Sequence, residues 1–143
     1  MALAEIIDQV TALFRGIFLD IAFEVLLDPD LPPLLPLDPE QMKRVFINLI
    51  DNAIDAMNKK GKIRIHAAFD REANQVRVDV ADTGPGIWVE DKDKLFLPHF
   101  STKKKGTGLG LAIVSQIMKE HNGAVEVHNT TPHGAQFTLK IPA

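Results

Sequence analysis

A chain of 143 residues, 45% hydrophobic and 24% charged, has the composition of a soluble globular domain and enough length for a real core. A formal net charge of −3 argues against a nucleic-acid-coating surface; the lack of cysteine excludes disulfides and thiolate metal sites and fits a reducing, cytoplasmic compartment. No apolar run approaches the roughly 18 residues of a membrane span, and Met1-Ala2-Leu3-Ala4-Glu5 has no basic region and reads as helix, not signal peptide.

Residues 3–15 place Leu3, Ile6, Ile7, Val10, Leu13 and Phe14 at helical spacing and predict an amphipathic helix that Gly16 can stop. Residues 21–27, rich in β-branched and aromatic types, predict a strand. The prolines of 28–36 push their predecessors out of the helical region, giving an extended connector. Asp38 can cap a long helix whose first position suits Pro39, with Gln41 completing a capping box. Met42, Val45, Phe46, Leu49, Ala53, Ala56 and Met57 form its expected apolar stripe. Residues 62–69 and 75–82 predict a strand pair around a polar turn, followed by a short helix near Asp91–Leu95. A helix from about Leu109 to His121, stopped by Gly123, and strands near 124–129 and 135–141 close the chain. The fold class expected is α+β: a two-layer sandwich with a mixed five-stranded sheet and about three helices on one face.

Three stretches carry chemistry. Val76-Arg77-Val78-Asp79-Val80-Ala81-Asp82 has valine at every second position, so Asp82 continues the inward apolar series. A carboxylate there needs strong donors or suffers desolvation. The glycines of Thr83-Gly84-Pro85-Gly86-Ile87 leave room for a ligand against the backbone, and Asp82 is suited to accept from an exocyclic amino group such as that of adenine. An Asp that merely closes an ordinary turn is the alternative. Asn48, Asn52 and Asp55 share a narrow arc of the long helix, and the asparagine carbonyls are hard ligands suited to Mg²⁺. Lys103-Lys104-Lys105 leads into Gly106-Thr107-Gly108-Leu109-Gly110, whose backbone N–H groups before a helix can meet a polyphosphate; a lysine run can equally be a solvated loop.

Together these pieces resemble the ATP-binding fold shared by histidine kinases, gyrase B, Hsp90 and MutL. Asn48-Leu49-Ile50-Asp51-Asn52-Ala53 looks like the N box and Asp82-Thr83-Gly84-Pro85-Gly86 like the first glycine box. Phe96 to Lys103 looks like the F box and Gly106 to Gly110 like the second glycine box. One such box specifies little; four in family order are specific. The NAIDAM run, the short FSTKKKGTGLGLAIV lid and the last strand ending in Pro142 look most like nitrogen-regulation-type sensor kinases.

The resemblance implies that residues 1–143 form one ATP-binding catalytic domain, with 1–15 its N-terminal cover or a linker remnant. Asn52 would hold the Mg²⁺ that bridges the phosphates of ATP, with Asn48 in support. Asp82 would read adenine while Gly84 and Gly86 let the base approach, and Ile87 and Phe100 would line or brace the pocket. Lys103, Thr102, Gly106, Thr107, Gly108, Leu109 and Gly110 would meet the phosphates under a lid.

Two departures sharpen this. ATP-hydrolysing relatives carry a glutamate one turn before the magnesium asparagine, where this chain has Asn48, which cannot act as a general base. No histidine stands in the Ser-His-Glu-x-x-x-Pro context of a phosphoacceptor, so all five read as structural or solvated. The partners implied are a phosphoacceptor histidine domain and, downstream, a response regulator. A serine kinase of the anti-sigma-factor type and an interaction module, natural or engineered, share the scaffold as alternatives. A homodimer through residues 18–27 is also expected, because Ala22 and Leu26 put apolar surface on the second face of that strand, with Phe18, Leu19 and Leu35 beside it. Trp88 and Leu97 stand where related kinases usually look polar or proline-rich.

Overall fold

The computed structural model describes residues 2–98 and 110–143. In chain order the elements are α1 (Leu3–Arg15), β1 (Ile21–Leu27), α2 (Pro39–Ala56), β2 (Gly61–Asp70), β3 (Gln75–Asp82), α3 (Gly110–Glu120), β4 (Ala124–Asn129) and β5 (Ala135–Pro142). The five strands form one sheet in the order β1-β2-β3-β5-β4, with β1 parallel to β2 and the other pairs antiparallel. A parallel pair cannot be joined by a tight turn, and α2 supplies the crossover between β1 and β2. The expected mixed α+β sandwich is what the chain forms.

Alternation decides which sheet face the helices cover. Ile63, Ile65 and Ala67 of β2 and Val76, Val78 and Val80 of β3 are buried, as are Phe137, Leu139 and Ile141 of β5. Between them Lys62, Arg64 and Arg77 are exposed on the opposite face. There, Glu24 sits 2.6 Å from Lys62 and 3.1 Å from Arg64, which together hold its carboxyl below the ordinary range, Lys62 contributing most. Lys140 lies 2.9 Å from Glu126 on the far side of the sheet. Such exposed pairs make that face soluble more than they stabilise it. The covered face packs against Ile6, Ile7 and Val10 of α1, Phe46, Leu49 and Ile50 of α2, and Val114 and Met118 of α3.

Several expectations shift in detail. Asp38 caps α2 by accepting from the backbone N–H groups of Glu40 and Gln41, at 3.0 and 3.2 Å. No capping box forms, because the Asp38 N–H goes 3.0 Å to Nε2 of His121. The apolar stripe of α2 takes in Ile50 and Ile54, while Ala56 is exposed at the last turn. In α1 Leu13 is 56% exposed and Thr11 takes the buried place, its hydroxyl satisfied by the Ile7 carbonyl at 2.9 Å. The short helix near 91–95 reduces to a single 3-10 turn at Val89–Asp91. The N–H groups of Lys94 and Leu95 both turn back to the Asp91 carbonyl, and Pro98 follows too soon for a nucleated helix to lengthen. Helix α3 ends at Glu120 with Asn122 in the left-handed region (φ 58) just before Gly123.

Candidate functional site

The inward register of β3 continues through its last residue. Asp82 pairs across the sheet with Ile63, one step beyond the Val80–Ile65 pair, so its side chain lies on the helix-covered face and is 6% exposed. Among the described residues, hydrogen bonds reach one oxygen of the carboxylate only. Oδ1 accepts from the N–H of Gly84 at 2.8 Å and from the N–H of Ala135 at 3.2 Å. Desolvation raises the Asp82 pKa above the ordinary aspartate value, against the opposing pull of those two N–H groups. With Oδ1 committed, Oδ2 is the acceptor left for a ligand donor.

The turn after Asp82 is packed on both sides by protein. A Cβ at Gly84 would stand 3.1 Å from Asp82 Oδ1 and 3.3 Å from the Ala56 carbonyl at the end of α2. Gly86 has φ +87, and a Cβ there would fall 2.8 Å from Oδ1 of Asn129 and 3.0 Å from the Gly134 carbonyl. The bare faces of these glycines therefore bring the turn against α2 and against the β4–β5 connection. Ile87, half-buried, packs on the core beyond it.

Helix α2 carries the amides. Asn48 and Asn52 are both half-buried, one turn apart on the side of the helix that borders its apolar stripe. Nδ2 of Asn48 is the only buried side-chain nitrogen or oxygen without a hydrogen-bond partner among the described residues. A Cβ on Gly110, the first residue of α3, would come 3.9 Å from Asn48 Oδ1. The structure thus brings the end of the second glycine box onto the N box, and the first glycine box onto the C-terminal end of the same helix. Phe100, Thr102, Lys103, Gly106, Thr107, Gly108 and Leu109 lie outside the described residues.

Among the described residues no cluster of three or more His, Asp or Glu side chains could hold a metal ion. A cation here would share its coordination with a ligand and with the two amides. That suits Mg²⁺, which keeps waters and takes phosphate oxygens. The unpaired Nδ2 of Asn48 is a donor beside the N-terminus of α3, which suits a phosphate oxygen; metal ligation would fall to the amide oxygens.

Sequence reading missed the β4–β5 connection. Asn129 donates from Nδ2 to the Ile87 carbonyl at 2.8 Å and accepts at Oδ1 from the Ile87 N–H at 2.7 Å. His133 Nδ1 is 3.1 Å from the Gly84 carbonyl, so that nitrogen carries the hydrogen. A Cβ at Gly134 would collide with the Asp82 carbonyl, and its φ of +128 also favours glycine. Only Gly134 signals this in the sequence, as a lone glycine ahead of a strand.

The sequence family described as histidine kinase-, DNA gyrase B-, and HSP90-like ATPase matches residues 37–143, from the residue before the cap of α2 to the last residue. The chain belongs to this family. Within it, sensor kinases are among the relatives that the chain resembles. The chain is 40% identical over 105 residues to the sensor histidine kinase ZraS of Klebsiella oxytoca, a match over 73% of this chain and 22% of that protein. It is 37% identical over 126 residues to the sensory histidine kinase/phosphatase NtrB of Rhodobacter capsulatus, covering 80% of this chain and 35% of NtrB. The chain therefore spans about a quarter to a third of the curated relatives it matches. In structure it superposes on the nucleotide-free catalytic domain of the histidine kinase ThkA with a TM-score of 0.88 and 37% identity, over 99% of this chain and 93% of that one. ThkA in complex with the response regulator TrrA matches at 0.84, with 34% identity, over 99% of this chain and 40% of that one. The chain is an ATPase-fold catalytic domain of the sensor histidine kinase type.

Proposed function

We propose that this domain binds Mg·ATP and presents the γ-phosphate, in line, to a histidine on a separate dimerisation and phosphoacceptor domain, from which a response regulator would take it. The observation that carries the reading is Asp82, a buried carboxylate with one oxygen held by two backbone N–H groups and the other without a partner among the described residues. That arrangement fixes an acceptor for the adenine amino group. Asn52, supported by Asn48, would hold Mg²⁺, which when bound neutralises phosphate charge. Lys103 and the N–H groups of Gly108 and Gly110 would orient the phosphates, with Thr102, Gly106, Thr107 and Leu109 around them. Ile87 and Phe100 would line or brace the base. The chain's contribution is positioning and charge neutralisation rather than bond chemistry.

A response-regulator partner is supported by the ThkA–TrrA complex, and the absence of any described helix long and apolar enough to cross a membrane is compatible with a cytoplasmic setting. Calorimetric titration tests the nucleotide assignment: micromolar-range affinity for Mg·ATP with a clear preference over GTP is expected. Equal affinity for ATP and GTP would sink the role of Asp82. Acid lability of the phosphorylated product distinguishes this from the serine kinase alternative. Size in solution with and without nucleotide tests the interaction module.

Self-association through residues 18–27 is a second proposal. β1 is an edge strand, Leu19 is 86% exposed and Leu26 42% exposed. Those residues and the open strand edge would form the contact.

A further inference from the structure

We infer that Asn129 is a positioning residue for the nucleotide: its amide clamps the far end of the glycine turn, setting affinity on the base side without touching the ligand. The inference rests on the Mg·ATP reading of the site. The turn from Asp82 to Ile87 is fastened at its near end by the Gly84 N–H on Asp82 Oδ1. At its far end the chain leaves the sheet, and the Ile87 N–H and carbonyl have no strand opposite them. Asn129, the last residue of β4, provides both missing partners in one planar group, at 2.7 and 2.8 Å. A primary amide offers a donor and an acceptor side by side in one plane, as a peptide group does, so the pair imitates one further step of strand pairing. Gly86 completes the device, since any Cβ there would meet Oδ1 of Asn129. The glycine is thus required by the clamp, its bare face being taken by protein and not left open to a ligand.

A turn held at both ends presents its backbone and Asp82 in a single arrangement. Released at one end, it must be ordered again each time a base binds, and that ordering is subtracted from affinity. The only tryptophan, Trp88, follows Ile87 directly and is 73% exposed, which makes it a reporter of the turn's mobility independent of nucleotide.

Asn129→Ala tests the inference. Trp88 fluorescence anisotropy should fall, and affinity for ATP and for ADP should each drop about tenfold, equally with Mg²⁺ and in chelator. The melting temperature should stay within a few degrees, because Asn129 is itself exposed. If the alanine variant fails to fold, Asn129→Asp keeps the acceptor for the Ile87 N–H and removes the donor to its carbonyl, with the same readouts expected. Either readout unmoved in a folded variant overturns the inference. Failure of the parent chain to bind ATP, with anisotropy still falling in the variant, removes the functional reading and the positioning role together while leaving the clamp as a structural fastening. Parental binding with an unaltered variant removes the positioning role alone.

Discussion

Oδ1 of Asp82 receives two backbone N–H groups, an arrangement an asparagine carbonyl reproduces. Asp82→Asn should therefore leave the turn folded while placing an amide nitrogen where Oδ2 was, so that one donor faces another, the adenine amino group. The expected loss of ATP affinity is about 2–4 kcal/mol. Stability should move the other way. The folded-state pKa of Asp82 is raised by burial, so this group favours folding most when protonated, and its contribution falls as pH rises from the ordinary aspartate value through the raised one. The asparagine variant has no such term, and at pH 7 its melting temperature should equal or exceed the parent's. Calorimetric binding and thermal melts of one protein sample check both halves; a variant less stable than the parent at neutral pH would contradict the account of Oδ1. At Asn52 the expected signature differs: Asn52→Ala should weaken ATP binding in the presence of Mg²⁺, and the loss should largely vanish with ADP in chelator.

At the scale of elements, what the sequence showed and what it hid follow from range. The valine alternation of 76–80 reported the orientation of Asp82, because strand periodicity is local and the helix-covered face needs apolar residues. Asp38 and Pro39 marked the start of α2 for the same reason. What stayed hidden depends on partners far along the chain. The Asp38 N–H is satisfied by His121 Nε2, 83 residues away, with Nδ1 of the same ring donating to the Ile117 carbonyl at 2.8 Å. That bridge ties the start of α2 to the end of α3, and no spacing rule links those two residues. The Asn129 and His133 contacts with the glycine turn are equally nonlocal, so a histidine that reads as a solvated hairpin residue proves to touch the candidate site. The edge strand β1 is the element whose fate the fold leaves to experiment. Arg15 donates 3.3 Å to the Phe23 carbonyl with its guanidinium over the Phe23 ring, which guards part of that edge. Light scattering at tens of micromolar should show a concentration-dependent dimer that Leu26→Lys abolishes; a strictly monomeric mass in both proteins would end the proposal.

For the whole molecule, the question is where the phosphoryl group goes. The chain holds five histidines, and each described one is already engaged. His66 lies 3.2 Å from Asp28, His128 faces Glu126 at 3.6 Å, His121 bridges two helix ends and His133 meets the Gly84 carbonyl. His99 lies outside the described residues. None stands in the sequence context of a phosphoacceptor. Transfer to water needs a base to take its proton, and the residue one turn before Asn52 is Asn48, whose amide cannot serve at neutral pH. On the proposed function, Asn48 in place of a base and the lack of a phosphoacceptor context around the five histidines would direct the phosphoryl group to a second domain. The relatives, three to five times longer than the segment they share with this chain, have room for that domain. Incubated with Mg²⁺ and γ-labelled ATP, the isolated chain should remain unlabelled and release phosphate no faster than background. Added phosphoacceptor domain should then acquire acid-labile label only when the chain is present. Stoichiometric acid-labile label on the chain itself would refute transfer in trans and point to one of these five histidines as the acceptor.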